Sequence, residues 1–339
     1  TQDRYGSDTD VVRTELRLPL PDLALGRLVE TPDEIIGMIQ AYLETDGGLL
    51  PTPATALVTG YDFLEDAAQA VAAEWTAGAG INPERLITPP DIAPSDPASW
   101  SASDLAGLLL TRRHDVLFLA GHFNTAGALA ADFTTRLLAR ELLRPDLDLK
   151  NAFLYSPGCH SGYNLVDPDA IPEVTLQPDW AQVAARKQMI LLAGTGYQYG
   201  DTDFLEYSER LYRDFTRHLR RGSGPVTLGK ALVRAKQQYL ADVTDLRGIH
   251  EKALLQATLF GLPMAAYNLP GRIPDTTPAS IVPAALDYPQ DPPSPGRELG
   301  LQYADVEVLA NLTRGTLLLK NAQYDPADPN DRPEFEAVW

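Results

Sequence analysis

Four short stretches of this chain, ATALVTG, DVLFLAG, NAFLYSPG and QMILLAG, carry nearly unbroken apolar side chains, and each runs into a glycine. A strand with one wet face alternates apolar and polar residues. These do not, so they need cover on both faces, as strands of a parallel sheet do. Helical patterns lie between them, notably the alanine-rich LEDAAQAVAAEW and the later DLAGLLLTRR. Buried strands alternating with helices predict an α/β fold, its mostly parallel sheet covered by helices on both faces.

The flanking segments extend this pattern. Ala24–Val29 is an apolar strand candidate. Thr31, Pro32 and Glu34 follow as N-cap, first-turn proline and capping-box acid of a helix running to about Glu44. After the fourth apolar run come three helical patterns, DFLEYSERLYRDFTRHLRR, TLGKALVRAKQQYLADV and HEKALLQATLFG, and the short run LPMAAYNL closes the unit. Eight prolines in the 26 residues from Pro270 to Pro295 then forbid a packed element. Residues 271–300 therefore read as an extended linker between a domain at 1–270 and a strand-rich segment at 301–339. That last segment is too short for a domain of its own and reads as an edge of a β-module, with a turn at Thr313–Gly315.

Composition excludes several functions. The net charge of −18 repels nucleic acid and anionic lipid, and it favours cationic substrates or calcium when it does more than confer solubility. A single cysteine rules out an internal disulfide and a thiolate zinc cage. No apolar run is long enough to span a membrane. The opening TQDRYGSDTD is no signal peptide, which leaves a cytoplasmic protein or a mature or trimmed piece of a longer one.

Ligands of an open parallel sheet bind at the carboxyl edge of its strands. Gly60–Asp62, Gly121–His122, Gly158–Ser161 and Gly194–Asp203 all fall at that edge. Asp62, His122 and Cys159 are thereby delivered to one rim from three different strands. A thiol becomes a nucleophile when its thiolate is stabilised and a proton donor stands ready for the leaving group. Gly158 lets a substrate backbone approach, amides around Cys159 can face an oxyanion, and His122 can supply the proton. The plainer reading of Cys159 is a small buried thiol behind a strand. Its polar neighbours His160, Ser161 and Asn164 count against that. His160, pointing away from Cys159 in an extended chain, reads as a loop-orienting residue. Ser161 lacks the glycines of a nucleophile elbow, because Cys159 and Tyr163 stand in their places. His114 reads as a surface residue, and His218 and His250 as solvated or capping residues of helices.

With a Gly-His strand end followed 37 residues later by GCHSG, the chain resembles the caspase-fold cysteine peptidases, specifically the gingipain family. The likeness extends to LPDLALGRLVETPDEI, TGYDF, GTGYQYGDTDFLEYSERL, TLGKALVRAKQQYL and QATLFGLPMAAY, and it covers Pro19 to Pro270. It implies a caspase-like three-layer sandwich that hydrolyses peptide bonds. Cys159 would be the nucleophile, His122 the general acid/base and Asp62 a carboxylate near the histidine, with backbone at Gly121, Phe123 and Gly158 around the oxyanion. Two departures stand out. Relatives read His-Gly, whereas Phe123 follows His122 here, and its bulk is expected to narrow the cleft. The sheet also reads as lacking the earliest strands, as in a trimmed chain.

The same resemblance implies a peptide or protein substrate, no required cofactor, and a secreted or cell-surface bacterial protein that is part of a larger multidomain chain. No metal is expected in catalysis, while calcium binding stays open. A catalytically silent caspase-fold binding or assembly module is the alternative; a zinc or serine hydrolase fits poorly. Relatives often cut after Arg or Lys, which needs a carboxylate at the base of the pocket. Asp201 and Asp203 in TGYQYGDTD offer it, with Tyr197 and Tyr199 as walls able to stack on a guanidinium. Two other readings stay open for these acids: capping a helix that begins near Phe204, or holding calcium.

Overall fold

The computed structural model describes residues 2–13, 16–166, 178–243, 246–275, 316–319 and 335–338. The chain divides into two units, Thr1–Thr276 and Thr277–Trp339. Within the second, Thr316–Leu319 pairs antiparallel with Phe335–Val338. The expected turn at Thr313–Gly315 and nearly all of the proline-rich stretch lie outside the described residues.

The first unit is built on a six-stranded sheet: β1 (Ala56–Gly60), β2 (Glu84–Ile87), β3 (Val116–Leu119), β4 (Phe153–Ser156), β5 (Ile190–Gly194) and β6 (Ala257–Phe260). The spatial order is β6-β5-β4-β3-β1-β2. Strands β1 to β5 run parallel, and β6 lies antiparallel to β5 at one edge. Every residue of β1, β3, β4 and β5 is buried, which is why the sequence shows unbroken apolar runs there.

The helices are α1 (Pro32–Leu43), α2 (Glu65–Ala79), α3 (Ala102–Leu109), α4 (Trp180–Arg186), α5 (Tyr207–His218), α6 (Leu228–Asp242) and α7 (Gly248–Gln256). Val58, Phe118, Tyr155 and Leu192 share a core with Trp75 of α2, Phe215 of α5 and Tyr239 of α6. Their strand neighbours Leu57, Leu117, Leu154 and Leu191 share the opposite core with Met38 of α1, Leu105 of α3 and Val183 of α4. The period-two alternation of strand side chains thus splits one sheet between two cores, giving three layers. Burying each large apolar side chain contributes about 1.5–3 kcal/mol.

Local chemistry sets the ends. Thr31 Oγ1 accepts from Glu34 N at 3.3 Å and the Glu34 carboxylate accepts from Thr31 N at 2.9 Å, the capping box read in the sequence. Gly60 has no room for a Cβ, which would collide with Ala68, so β1 and α2 approach closely. Gly80 ends α2 at φ +73°, a left-handed conformation glycine adopts without steric cost.

Several expectations fail for physical reasons. The Ala24–Val29 segment is not a strand; it touches the sheet through one bridge, Arg27 to Phe260. HEKALLQATLFG is not one helix, because α7 ends at Gln256 and ATLF turns into edge strand β6. A four-residue apolar run continuing a helix carries no periodicity of its own. LPMAAYNL supplies no strand of the main sheet; Ala266–Tyr267 pairs with Leu49–Leu50 and Val226–Thr227 in a small side sheet. Unforeseen were the hairpin of Thr9–Arg13 with Leu16–Leu20, strand β2 and helix α4. His114, His218 and His250 are all buried rather than solvated, with Glu84, Gln238 and Tyr239 as their partners. Burial lowers the His218 pKa to about 4, so it packs as a neutral ring.

Candidate active site

The rim is assembled from the outside inward. After β1 the chain turns through Tyr61 and Asp62, and Asp62 sits at φ +56°. A left-handed aspartate costs on the order of 1 kcal/mol and persists only where its surroundings enforce it. Here they aim its carboxylate at the end of β3. Asp62 Oδ2 lies 3.2 Å from His122 Nε2, and both side chains are partly exposed. The imidazole is further held by edge contacts with Tyr61, Phe63 and Phe133, at centroid distances of 5.7, 5.6 and 5.4 Å.

The His122 backbone is fixed as well. Its N–H donates to the Tyr61 hydroxyl at 2.9 Å, and that hydroxyl donates to Leu129 O at 2.6 Å. Burial raises the Tyr61 pKa far beyond the ordinary phenol range, so the hydroxyl keeps its proton. Gly121 is the residue that lets Tyr61 in, because a Cβ there would meet the ring at 2.6 Å.

After β4, Ser156 locks the turn that carries the cysteine. Its hydroxyl donates to Leu119 O on β3 at 2.6 Å and accepts from Gly158 N at 3.0 Å. Ser161 Oγ then donates to Gly158 O at 2.7 Å, while His160 N donates to Gly196 O just beyond β5 and Gly162 N to Gly194 O at its end. His160 adopts φ +58° at the crest of this turn. Its backbone is therefore not extended as expected from the sequence, and its ring meets Tyr197 edge-on at 4.6 Å.

Cys159 is half-buried at this turn. Gln198 N donates to Cys159 Sγ at 3.4 Å and the thiol faces Gln198 O at 3.6 Å. An amide placed this way can hydrogen-bond a thiolate as well as a thiol. Among the described residues no hydrogen bond joins Cys159 to His122. Their neighbours join instead: Gly158 packs so closely on the Phe123 ring that a Cβ there would overlap it. The cysteine thus follows, and the histidine precedes, two residues in direct contact. Phe123 does not narrow the cleft as expected, because its ring turns inward beneath Gly158 and onto Trp180 at 5.3 Å.

The loop after β5 rearranges the expected pocket. Helix α5 begins at Tyr207, with Glu206 at its N-cap and no side-chain cap bond, so neither Asp201 nor Asp203 caps it. The Asp201 carboxylate accepts from Asp203 N at 2.9 Å, and Asp201 N donates to the buried Glu209 carboxyl at 3.0 Å. Lys252 Nζ lies 5.7 Å from the Tyr199 ring centroid, so a protein cation already sits beside this ring. Tyr197 is largely exposed. Among the described residues no group of three or more His, Cys, Asp or Glu could hold a metal ion, and no helix is long and apolar enough to cross a membrane.

Sequence reasoning missed Tyr61, Ser156, Gln198 and Glu209. Only Ser156 left a signal, a hydroxyl ending an apolar run two residues before a glycine. The Glu209 carboxyl is pushed up to about 9 by burial and then by the neighbouring Asp66 charge.

The fold has solved counterparts. Gingipain R, an Arg-specific cysteine proteinase, aligns with 73% of this chain and 56% of its own, at TM-score 0.52 and 14% identity. The complex of Porphyromonas gingivalis RgpB pro- and mature domains aligns with 74% of this chain and 58% of its own, at TM-score 0.51 and 14% identity. The chain therefore spans a little over half the length of those proteins. No protein-family model and no curated sequence matches it. The fold is that of the gingipain-type cysteine proteinases, a caspase-like α/β sandwich.

Proposed function

We propose that this protein is a cysteine endopeptidase in which Cys159 attacks the scissile carbonyl and His122 acts as general acid/base. The observation that carries this reading is the packing of Gly158 against Phe123, which fixes the Cys159 turn and the His122 strand end against each other. As Cys159 sulfur bonds to the carbonyl carbon, the carbonyl electrons move onto oxygen, where backbone amides near Gly158 and Phe123 would receive them. His122 takes the thiol proton as sulfur attacks and gives it to the departing amine; it then takes a proton from the water that hydrolyses the thioester and returns it to the released sulfur. Asp62 keeps the imidazole turned toward this exchange.

Selectivity for Arg or Lys before the cleaved bond is part of the proposal. Asp201 and Asp203 would supply the negative charge and exposed Tyr197 a wall. The chemistry draws on protein groups alone, and calcium would act only on loop order. Secretion or display at a cell surface, within a larger multidomain chain, completes the reading.

The first test is a mixed peptide library digested with and without reducing agent. Cleavage should require the reduced thiol, iodoacetamide should label Cys159, and Cys159→Ala should fold normally without turnover. Alkylation of Cys159 that leaves turnover intact would remove the mechanism. A folded, reduced protein that cleaves nothing would instead favour a silent binding module.

A further inference from the structure

A cavity of about 650 Å³ opens beside the turn that carries Cys159. That is within the ordinary range for a ligand site. Tyr163 and Asn164, just beyond Cys159 in the chain, contribute to its wall, as do Thr195 directly after β5 and Leu255. It therefore lies on the β5–β6 side of the nucleophile, while His122 arrives from β3 on the other side of β4. The proposed chemistry between Cys159 and His122 does not use it.

Its wall carries one formally charged side chain, Arg27. In a chain of net charge −18, several of the described arginines have carboxylate partners: Arg186 with Glu34, Arg220 with Glu74, Arg210 with Asp242. Arg27 has none among the described residues, and its guanidinium rests 5.4 Å from the Phe260 ring centroid. Its main chain is pinned on both sides, since Arg27 N donates to Leu259 O and Gly261 N donates to Arg27 O, each at 2.8 Å. Gly26, where a Cβ would collide with Gly261 O, brings the chain against the sheet at this point.

Tyr5, an exposed ring, lines the cavity too. Tyr5 belongs to an N-terminal turn whose Asp3 carboxylate accepts two bonds of 2.7 Å from Lys236 Nζ, a buried lysine. An exposed, planar guanidinium on a pinned main chain, without a carboxylate partner among the described residues and beside aromatic and aliphatic surface, recognises a carboxylate on a partly apolar ligand.

We propose that this cavity is a second substrate subsite that takes a carboxylate of the peptide, borne by an acidic side chain or by its C-terminus, with Arg27 as the partner. The proposal rests on the peptidase reading, and it adds a preference separate from that of the residue before the cleaved bond.

Paired quenched peptides test it. One series places Glu or Gln at each position flanking the cut, and a second ends in a free or an amidated C-terminus. The carboxylate member of one series should be cleaved with about tenfold higher kcat/KM, expressed mainly in KM, as a charge-assisted contact formed before chemistry provides. Arg27→Gln should bring that ratio to about one. Which series responds identifies the carboxylate. A parent indifferent to both, or a preference that survives Arg27→Gln, overturns the subsite. Binding of the same labelled peptides to the Cys159→Ala protein separates the two readings. Arg27-dependent binding of acidic peptides that the parent never cleaves keeps the subsite and removes the peptidase. Cleavage without any carboxylate preference does the reverse.

Discussion

The turn after β4 and the loop after β5 leave the same rim of the sheet, but they are held by different means. The turn is clamped by groups next to it in sequence or on adjoining strand ends: Ser156, Ser161, Leu119 O and Gly194 O. The loop leans on side chains of helices, α5 that follows it and α7 farther along the chain. Ser208 and Glu209 of α5 bind its amides at Tyr199 and Asp201, and Lys252 of α7 covers Tyr199. The sheet itself thus fixes the proposed nucleophile, while the proposed selectivity depends on helical side chains that can change without disturbing the sheet. A loop supported in this way can be retuned; the turn cannot.

The largest effect should come from forcing the turn. In Gly158→Ala the new methyl meets the Phe123 ring and drives the Cys159 and His122 segments apart. A displacement of about 1 Å at a reacting pair costs on the order of 10²-fold in rate, and overpacking adds about 1–3 kcal/mol of instability. The loss should fall equally on every peptide. Gly200→Ala presses on Phe63 at 2.5 Å and on the Glu209 carboxyl at 2.7 Å, so it should reorder peptide preference on top of whatever common loss Phe63 passes to His122. A panel of peptides assayed with both variants decides it; matching profiles would erase the distinction between turn and loop.

Next in size are the loop acids. Asp201→Asn or Asp203→Asn should lower kcat/KM on Arg and Lys peptides by about 10- to 100-fold, the value of a charge-assisted contact. Thermal stability should hold, because neither residue caps α5 and the bond from Asp203 N asks only for a side-chain oxygen at 201. If both variants keep the basic preference, the pocket charge lies elsewhere.

Asp62→Asn probes the other side of the nucleophile. The imidazole keeps its three aromatic contacts, so the loss should be about tenfold, below the roughly 10²- to 10⁴-fold that an acid–base group itself supplies. It should appear in kcat for all peptides alike. A loss confined to basic peptides would assign Asp62 to the pocket instead.

The same contrast governs how much could be read from the sequence. Strands β1, β3, β4 and β5 were legible because burial on both faces leaves almost only apolar residues in them. Their glycine ends marked the rim, and with it Asp62, His122 and Cys159. Strand β6 was hidden because ATLF continues the apolar stripe of α7, and strand β2 because its residues are only partly buried. The supports of the loop were illegible for another reason. Glu209 reads as a surface acid on a charged helix, and only the approach of α2 and Gly200 makes it a buried carboxyl. Tyr199 looked available to a substrate because nothing in the chain announces that Lys252, 53 positions away, lies over it.

Glu209 yields the smallest effect on turnover and the sharpest one on pH. Its carboxyl, raised by burial and by Asp66 from an ordinary 4.5 to about 9, carries its proton at neutral pH. In the unfolded chain it ionises near 4.5, so between those values the folded state binds a proton that the unfolded state has lost. Its contribution to stability is therefore fully present below about pH 4.5 and disappears as pH rises through about 9. Glutamine is neutral at every pH and keeps an oxygen for Asp201 N. Glu209→Gln should melt like the parent near pH 4.5 and exceed it by on the order of a few kcal/mol at pH 9. Turnover at pH 7 should barely move, since both side chains are then neutral. Between pH 8 and 10 the parent's ranking of basic over neutral peptides should drift as the ionised pair Glu209–Asp66 repels and loosens the loop. The variant's ranking should stay constant. Chemical unfolding and peptide ranking over this range measure both consequences, and parallel curves for the two proteins would place the titrating proton on another group.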